Sequence, residues 1–194
     1  MKDLIIFLAE GFEEIEALTV CDYLRRANLE VELVSISEEK EVKSSHGVRI
    51  IADKTIDEIN FEEYRGVYIP GGLPGAVNLA AEKRVLELVE MYYMEEKIVS
   101  AICAGPVVLD KINLLKDKKF TCYPGYENNL SSKNRLDNAV VCDENIITGM
   151  GPAFAQSIAF KLIEALKNKD SAEKIKEDTL FVKLVDFIKR DEVK

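Results

Sequence analysis

Cys103 is the residue of this chain whose neighbours best suit a nucleophile. It ends the apolar run Lys97-Ile98-Val99-Ser100-Ala101-Ile102 and is followed by Ala104-Gly105-Pro106. A sharp strand-to-helix turn that exposes a side chain needs small residues around it to relieve crowding, as in the nucleophile elbow of hydrolases. Gly-x-Ser-x-Gly itself is absent. A helix starting near Pro106 would favour thiolate over thiol, so a pKa well below the ~8.5 of a free cysteine is expected. Its free backbone N–H groups, Ala104 nearest, could bind an oxyanion. The competing reading is a buried, inert cysteine, the commoner fate of this residue. Cys21, Cys122 and Cys142, one mid-helix and two on expected strands, are assigned to that second class.

Glu16 falls four residues after Phe12, in or beside the apolar stripe that continues through Thr19 or Val20 and Tyr23. A carboxyl facing a sheet is desolvated, which raises its pKa and favours the neutral acid. Such an acid could hydrogen-bond a thiolate or shuttle a proton; equally, Glu16 could sit at the stripe edge and pair with an arginine. Glu13 and Glu14 read as solvated first-turn acids. Gly71-Gly72, after Val67-Tyr68-Ile69-Pro70, would let backbone N–H groups approach a ligand, or form a plain turn. Gly-Gly-Leu-Pro-Gly matches neither dinucleotide nor P-loop spacing, so no such cofactor is expected. The single histidine, His46, lies in a Ser44-Ser45-His46-Gly47 turn. It is either simply exposed or a base, the latter only if its loop reaches Cys103.

The elements that must hold these residues alternate. Asp3–Ala9 is a continuous apolar run that suits a strand buried on both faces. A helix over 13–27, a strand over 29–36, a charged connection over 38–43 and a short strand over 48–51 follow. Then come a strand over 67–69, a helix over 82–96, the strand before Cys103 and a helix from Pro106 to Ile112. Strands are expected at 120–123, 139–142 and 145–148, and a helix at 153–168. Alternation of this kind predicts an α/β fold, a doubly wound, mostly parallel sheet sandwiched by helices. The whole span 1–194 reads as one domain, with a terminal amphipathic helix over about 171–194.

Composition excludes several function classes. The 194 residues carry 26 Lys and Arg against 35 Asp and Glu, a net charge of −9, which argues against nucleic-acid binding. The longest early apolar run, Leu4–Ala9, is too short to span a bilayer, and a signal-peptide pattern is lacking, so no membrane association and a cytoplasmic location are expected. Four cysteines without a Cys-x-x-Cys read as free thiols. A metal would need scattered cysteines and carboxylates, so none is expected.

Taken together, Ala9-Glu10-Gly11-Phe12-Glu13-Glu14-Ile15-Glu16, Ile69-Pro70-Gly71-Gly72, Ala101-Ile102-Cys103-Ala104-Gly105-Pro106 and Thr148-Gly149-Met150-Gly151-Pro152 resemble the ThiJ/PfpI superfamily in its DJ-one branch, over roughly residues 3–167. The resemblance implies a flavodoxin-like fold, similar to class I glutamine amidotransferases, and a homodimer. It implies a reactive Cys103 hydrogen-bonded to a protonated Glu16, with backbone donors from Gly72 and Ala104. The activity it implies is cofactor-free chemistry on small reactive aldehydes, of the glutathione-independent glyoxalase or deglycase type, through a Cys103 hemithioacetal with Glu16 as proton shuttle. The alternative is a redox-sensing, stress-protective dimer that uses oxidation of Cys103. A peptidase or amidase ranks lower, because Ala104 stands where that branch has a histidine. Tyr123-Pro124 likewise replaces His-Pro, leaving Tyr123 as a possible hydrogen-bond donor, and His46 could compensate.

Overall fold

The computed structural model describes residues 1–191. Its frame is a seven-stranded sheet, made of β1 (Leu4–Leu8), β2 (Val31–Ser35), β5 (Lys54–Thr55), β6 (Gly66–Ile69), β7 (Ile98–Ile102), β8 (Val140–Asp143) and β9 (Ile146–Gly149), in the order β5-β2-β1-β6-β7-β9-β8. All neighbours pair in parallel except β8, which returns antiparallel on β9. The expected doubly wound, flavodoxin-like α/β architecture is therefore the observed one.

The continuous apolar run at β1 exists because both faces of the sheet are covered. Leu4, Ile6 and Leu8 pack with α1 (Glu14–Arg26) and α5 (Ala155–Leu166). Ile5, Phe7 and Ala9 pack on the other face with α2 (Gly75–Ala81), α3 (Lys83–Met94) and α4 (Pro106–Lys111). Every residue of β1 and β6 is buried. A parallel sheet with loops gathered at its carboxyl ends makes a natural ligand site there.

Four local expectations change. The charged stretch expected as a connection contains β3 (Glu41–Lys43), which pairs antiparallel with β4 (Arg49–Ile51) in a separate ribbon. Helix α2, with Ala76, Leu79 and Ala80 buried, was not anticipated. Residues 120–123 form no strand beyond a single bridge between Phe120 and Arg135. Their N–H groups go elsewhere: Thr121 donates to Thr148 Oγ1 at 2.9 Å and Tyr123 to the Cys103 carbonyl at 3.0 Å. The expected terminal helix is two, α6 (Lys169–Asp178) and α7 (Phe181–Asp191), separated at Leu180, whose φ is +60°. Helix α6 buries Ala172 and Ile175, and Phe181 meets Phe160 edge-on at 4.9 Å. Residues 192–194 of the expected helix lie outside the described residues.

Candidate active site

Strands β1, β6 and β7 are adjacent, so their carboxyl ends bring Gly11–Glu13, Gly71–Gly72 and Cys103–Ala104 into one place. Cys103 is half-buried and has φ +60°. That left-handed conformation is costly for a residue with a side chain, by about 1–3 kcal/mol, and persists only where the surroundings enforce it. Both backbone groups of Cys103 are tied. Its N–H donates to the Gly149 carbonyl at 3.0 Å, and its carbonyl accepts from Tyr123 N–H at 3.0 Å. The turn then tightens through Gly105 N–H to the Ile102 carbonyl at 2.7 Å. A Cβ on Gly105 would stand 2.5 Å from the Ile69 carbonyl oxygen, which explains the small residue there. The expected sharp strand-to-helix turn at Cys103 is thus present.

Glu16 is fully buried. Its Oε2 accepts the Gly71 N–H at 2.7 Å, and its main-chain carbonyl accepts the Tyr68 hydroxyl at 3.1 Å. The carboxyl lies close enough to the Cys103 thiol for each group to perturb the other. Oε1, also buried, has no partner of ordinary hydrogen-bond geometry, so this approach is a contact rather than an aligned bond. Burial pushes the Glu16 carboxyl up to about 7; the Gly71 N–H and the thiol pull it back, and the charge on Glu13 adds to the rise. The desolvated reading of Glu16 matches this placement.

The thiol departs from expectation. Burial pushes the Cys103 pKa up, not down, and a charged Glu16 pushes it further. The Ala104 and Gly72 N–H groups, both directed at the sulfur, work against that rise. Burial thus holds both Glu16 and Cys103 toward their protonated forms.

Three neighbours went unrecognised. Glu13 is 7% exposed rather than solvated, and its Oε2 accepts from the Ser45 hydroxyl at 3.1 Å. Tyr68 is fully buried beneath Glu16. Tyr126 begins the turn after Gly125 and is near enough to Cys103 for the thiol's charge to raise its pKa, after burial.

His46 does not join Cys103 within this chain. Its exposed ring lies 3.2 Å from Glu14 Oε2 and 3.4 Å from Glu13 Oε2, and Glu14 holds its pKa up. Glu13, Glu14 and His46 thus bring ligand-type atoms within 4.8 Å of one another, a grouping not foreseen from scattered cysteines and carboxylates. The ring nitrogen is already satisfied by the carboxylates and by Ser45. Tyr123 meets Cys103 through its backbone, and its half-exposed ring lines a groove of about 360 Å³ with Pro124, Met150, Pro152 and Phe154. Of the other cysteines, Cys21 and Cys122 are buried as expected, but Cys142 is exposed on the edge strand.

No helix among the described residues is long and apolar enough to cross a membrane. Residues 2–165 match the family model described as the DJ-1/PfpI family. The fruit-fly (Drosophila melanogaster) protein dj-1beta is 32% identical over 176 residues, covering 90% of this chain and 94% of that protein. The solved structure described as Toxoplasma gondii DJ-1, oxidized, superposes with a TM-score of 0.88 at 35% identity, covering 93% of this chain and 98% of that one. Protein DJ-1 homolog B of Arabidopsis thaliana is 30% identical over 178 residues, 91% of this chain, and this chain spans only 41% of its length. Matched by the family model over most of its length, and by two relatives nearly end to end, this chain belongs to the DJ-1/PfpI family.

Proposed function

We propose that the chain is a cysteine-dependent enzyme that converts small 2-oxoaldehydes, such as methylglyoxal, into hydroxy acids. The observation that carries this is the pairing of a strained, half-buried Cys103 with a fully buried Glu16 whose carboxyl titrates at about 7, between the amides of Gly72 and Ala104. A base with a pKa near neutrality is suited to move protons at physiological pH.

The steps balance without a cofactor. Glu16 carboxylate takes the thiol proton as the sulfur bonds to the aldehyde carbon. The carbonyl electrons move to oxygen, where the Gly72 and Ala104 amides stabilise the charge. Glu16 returns its proton to that oxygen, giving a hemithioacetal. As carboxylate again, it removes the proton from the former aldehyde carbon to give an enediolate, the hydroxyl proton on that carbon passes to the neighbouring oxygen, and Glu16 delivers its own proton to the former ketone carbon. The first carbon is oxidised and the second reduced, leaving a thioester. Water then breaks the carbon–sulfur bond, releasing lactate and restoring the thiol.

The test is lactate formation from methylglyoxal by purified wild type and Cys103→Ser. Full activity in the variant would overturn the mechanism.

The same sulfur also favours oxidation sensing. Cys103 is half-buried beside a carboxyl able to hydrogen-bond a sulfinate, and the Toxoplasma relative is described as oxidized. A gain of two oxygens at Cys103 under mild peroxide, with no aldehyde turnover, would favour this role. A peptidase or amidase role finds less support, since the chain's only histidine pairs with Glu14. We also propose a homodimer, supported by the exposed apolar side chains of Ile15, Val48 and Ile51. Sedimentation at micromolar concentration tests it; a monomer would rule it out.

A further inference from the structure

Among the described residues, nothing covers the apolar strip formed by Leu180 and helix α7. Leu180, Leu184, Phe187 and Ile188 are 57%, 49%, 59% and 50% exposed. Spacings of four and three put Leu184 and Phe187 above Leu180 on one side of the helix, and Ile188 lies four beyond Leu184. Asp191, four residues after Phe187, ends this spacing. The helix meets the body on the neighbouring side, through Phe181 edge-on to Phe160 and a half-buried Val185. A helix of eleven residues is marginal in water unless its apolar side is covered. The family model matches residues 2–165, so α7 follows the matched residues and that match does not account for the strip.

The charges around the strip are ordered. Lys183 and Arg190 edge it on the side away from the body, and the Arg190 guanidinium lies 5.8 Å from the Phe187 ring centre. Asp186, the only acid in residues 181–190, falls on the side of the helix turned away from the strip. The chain carries a net charge of −9, but charges more than about 8 Å away are screened at physiological salt, so the cations beside the strip set the local field. Four half-exposed side chains of this size offer roughly 300–400 Å². A stable protein interface takes about 800 Å² from each partner, so a second copy docked on this strip alone falls short. A bilayer surface demands no matching shape, and it takes up short helices with one apolar side edged by cations. Long basic side chains reach the headgroups while their stems lie along the apolar boundary. The expectation of no membrane association rests on the lack of a spanning segment and a leader pattern; a surface helix needs neither.

We infer that α7 is an interfacial helix that seats the protein on an anionic lipid bilayer. Leu180, Leu184, Phe187 and Ile188 enter the boundary between headgroups and acyl chains, and Lys183 and Arg190 meet the headgroups. The inference is independent of the reaction proposed at Cys103.

The test floats the full chain with phosphatidylcholine vesicles made with and without phosphatidylglycerol. Partition into the anionic vesicles is expected to exceed that into the neutral ones by at least about tenfold. Lys183→Gln combined with Arg190→Gln is expected to lower anionic partition by about 25-fold, at about fivefold per cation. Leu184→Asp, at an exposed position, is expected to lower partition by at least about tenfold on both kinds of vesicle while thermal unfolding stays unchanged. The chain contains no tryptophan, so Phe187→Trp installs a single fluorescent reporter, whose emission is expected to shift to the blue on anionic vesicles. Absence of wild-type binding to those vesicles, binding unmoved by the substitutions, or an unshifted emission would overturn the inference. So would a lipid-free assembly, seen by sedimentation, that Leu184→Asp takes apart, because a second copy would then be what covers the strip.

Discussion

Glu16 and Cys103 face each other across the space that Gly71 leaves empty. A Cβ on Gly71 would stand 2.6 Å from Glu16 Oε2 and 2.8 Å from Cys103 Cβ. The glycine is therefore required by the pair and not merely by a turn.

Gly71→Ala is expected to separate the two groups. Crowding of this kind costs about 1–3 kcal/mol of stability, and turnover should fall by about 100-fold or more because acid–base geometry is lost. Thermal unfolding and lactate formation, measured together, check both halves. An active variant would show that the contact is dispensable.

Glu16→Gln keeps the shape but cannot accept a proton. Turnover should drop by roughly 100- to 10,000-fold. In wild type, kcat/KM should climb as pH rises through about 7, where the Glu16 carboxyl ionises. A flat profile from pH 6 to 8 would contradict its role as base.

The same substitution changes how stability depends on pH. Folding lifts the Glu16 pKa from its ordinary 4.5 to about 7, so between these values the folded state holds a proton that the unfolded state has released. Wild-type stability from this group is full below 4.5 and declines until about pH 7. The shift corresponds to about 3 kcal/mol. Urea denaturation should therefore show the Gln variant gaining on wild type by that amount between pH 4.5 and pH 8. A difference that stays constant would mean that the carboxyl is not raised.

Thiol reactivity separates the four cysteines by accessibility. Iodoacetamide should label Cys103 and Cys142 first, because Cys21 is 5% exposed and Cys122 is 0% exposed. Labelling of Cys103 should accelerate as pH rises and its proton is lost. Peptide mapping over time gives the order; early modification of Cys122 would refute it.

His46→Gln should leave turnover within about fivefold, since an exposed pair is worth little and the ring reaches Glu14, not Cys103. A larger loss would mean that the loop serves the site of a second subunit.

Cys103 is legible in the sequence because Ala101, Ala104 and Gly105 leave room for a tight turn, and the turn lies where the spacing puts it. Glu16 is half legible: helical spacing brings it beside the apolar stripe but cannot decide which way the carboxyl points. Periodicity says nothing of the Gly71 amide that meets it, 55 residues away. Glu13 is misread because a helix-start acid ordinarily faces water, and only the Ser44–Gly47 loop folding over Phe12 buries it. The direction of the thiol pKa is missed for a related reason. The helix start is legible in the sequence, but the depth at which the sulfur is buried is not. Residues 120–123 show strand composition, yet their amides are spent on Thr148 and on the Cys103 turn.

The order β1-β6-β7 places the three contributing segments on the innermost rungs of the molecule. Fraying begins at margins, so the outermost strands can loosen while the candidate site keeps its shape. Heat should leave activity untouched until the cooperative collapse itself, making loss of turnover a gauge of the entire scaffold rather than of one weak corner.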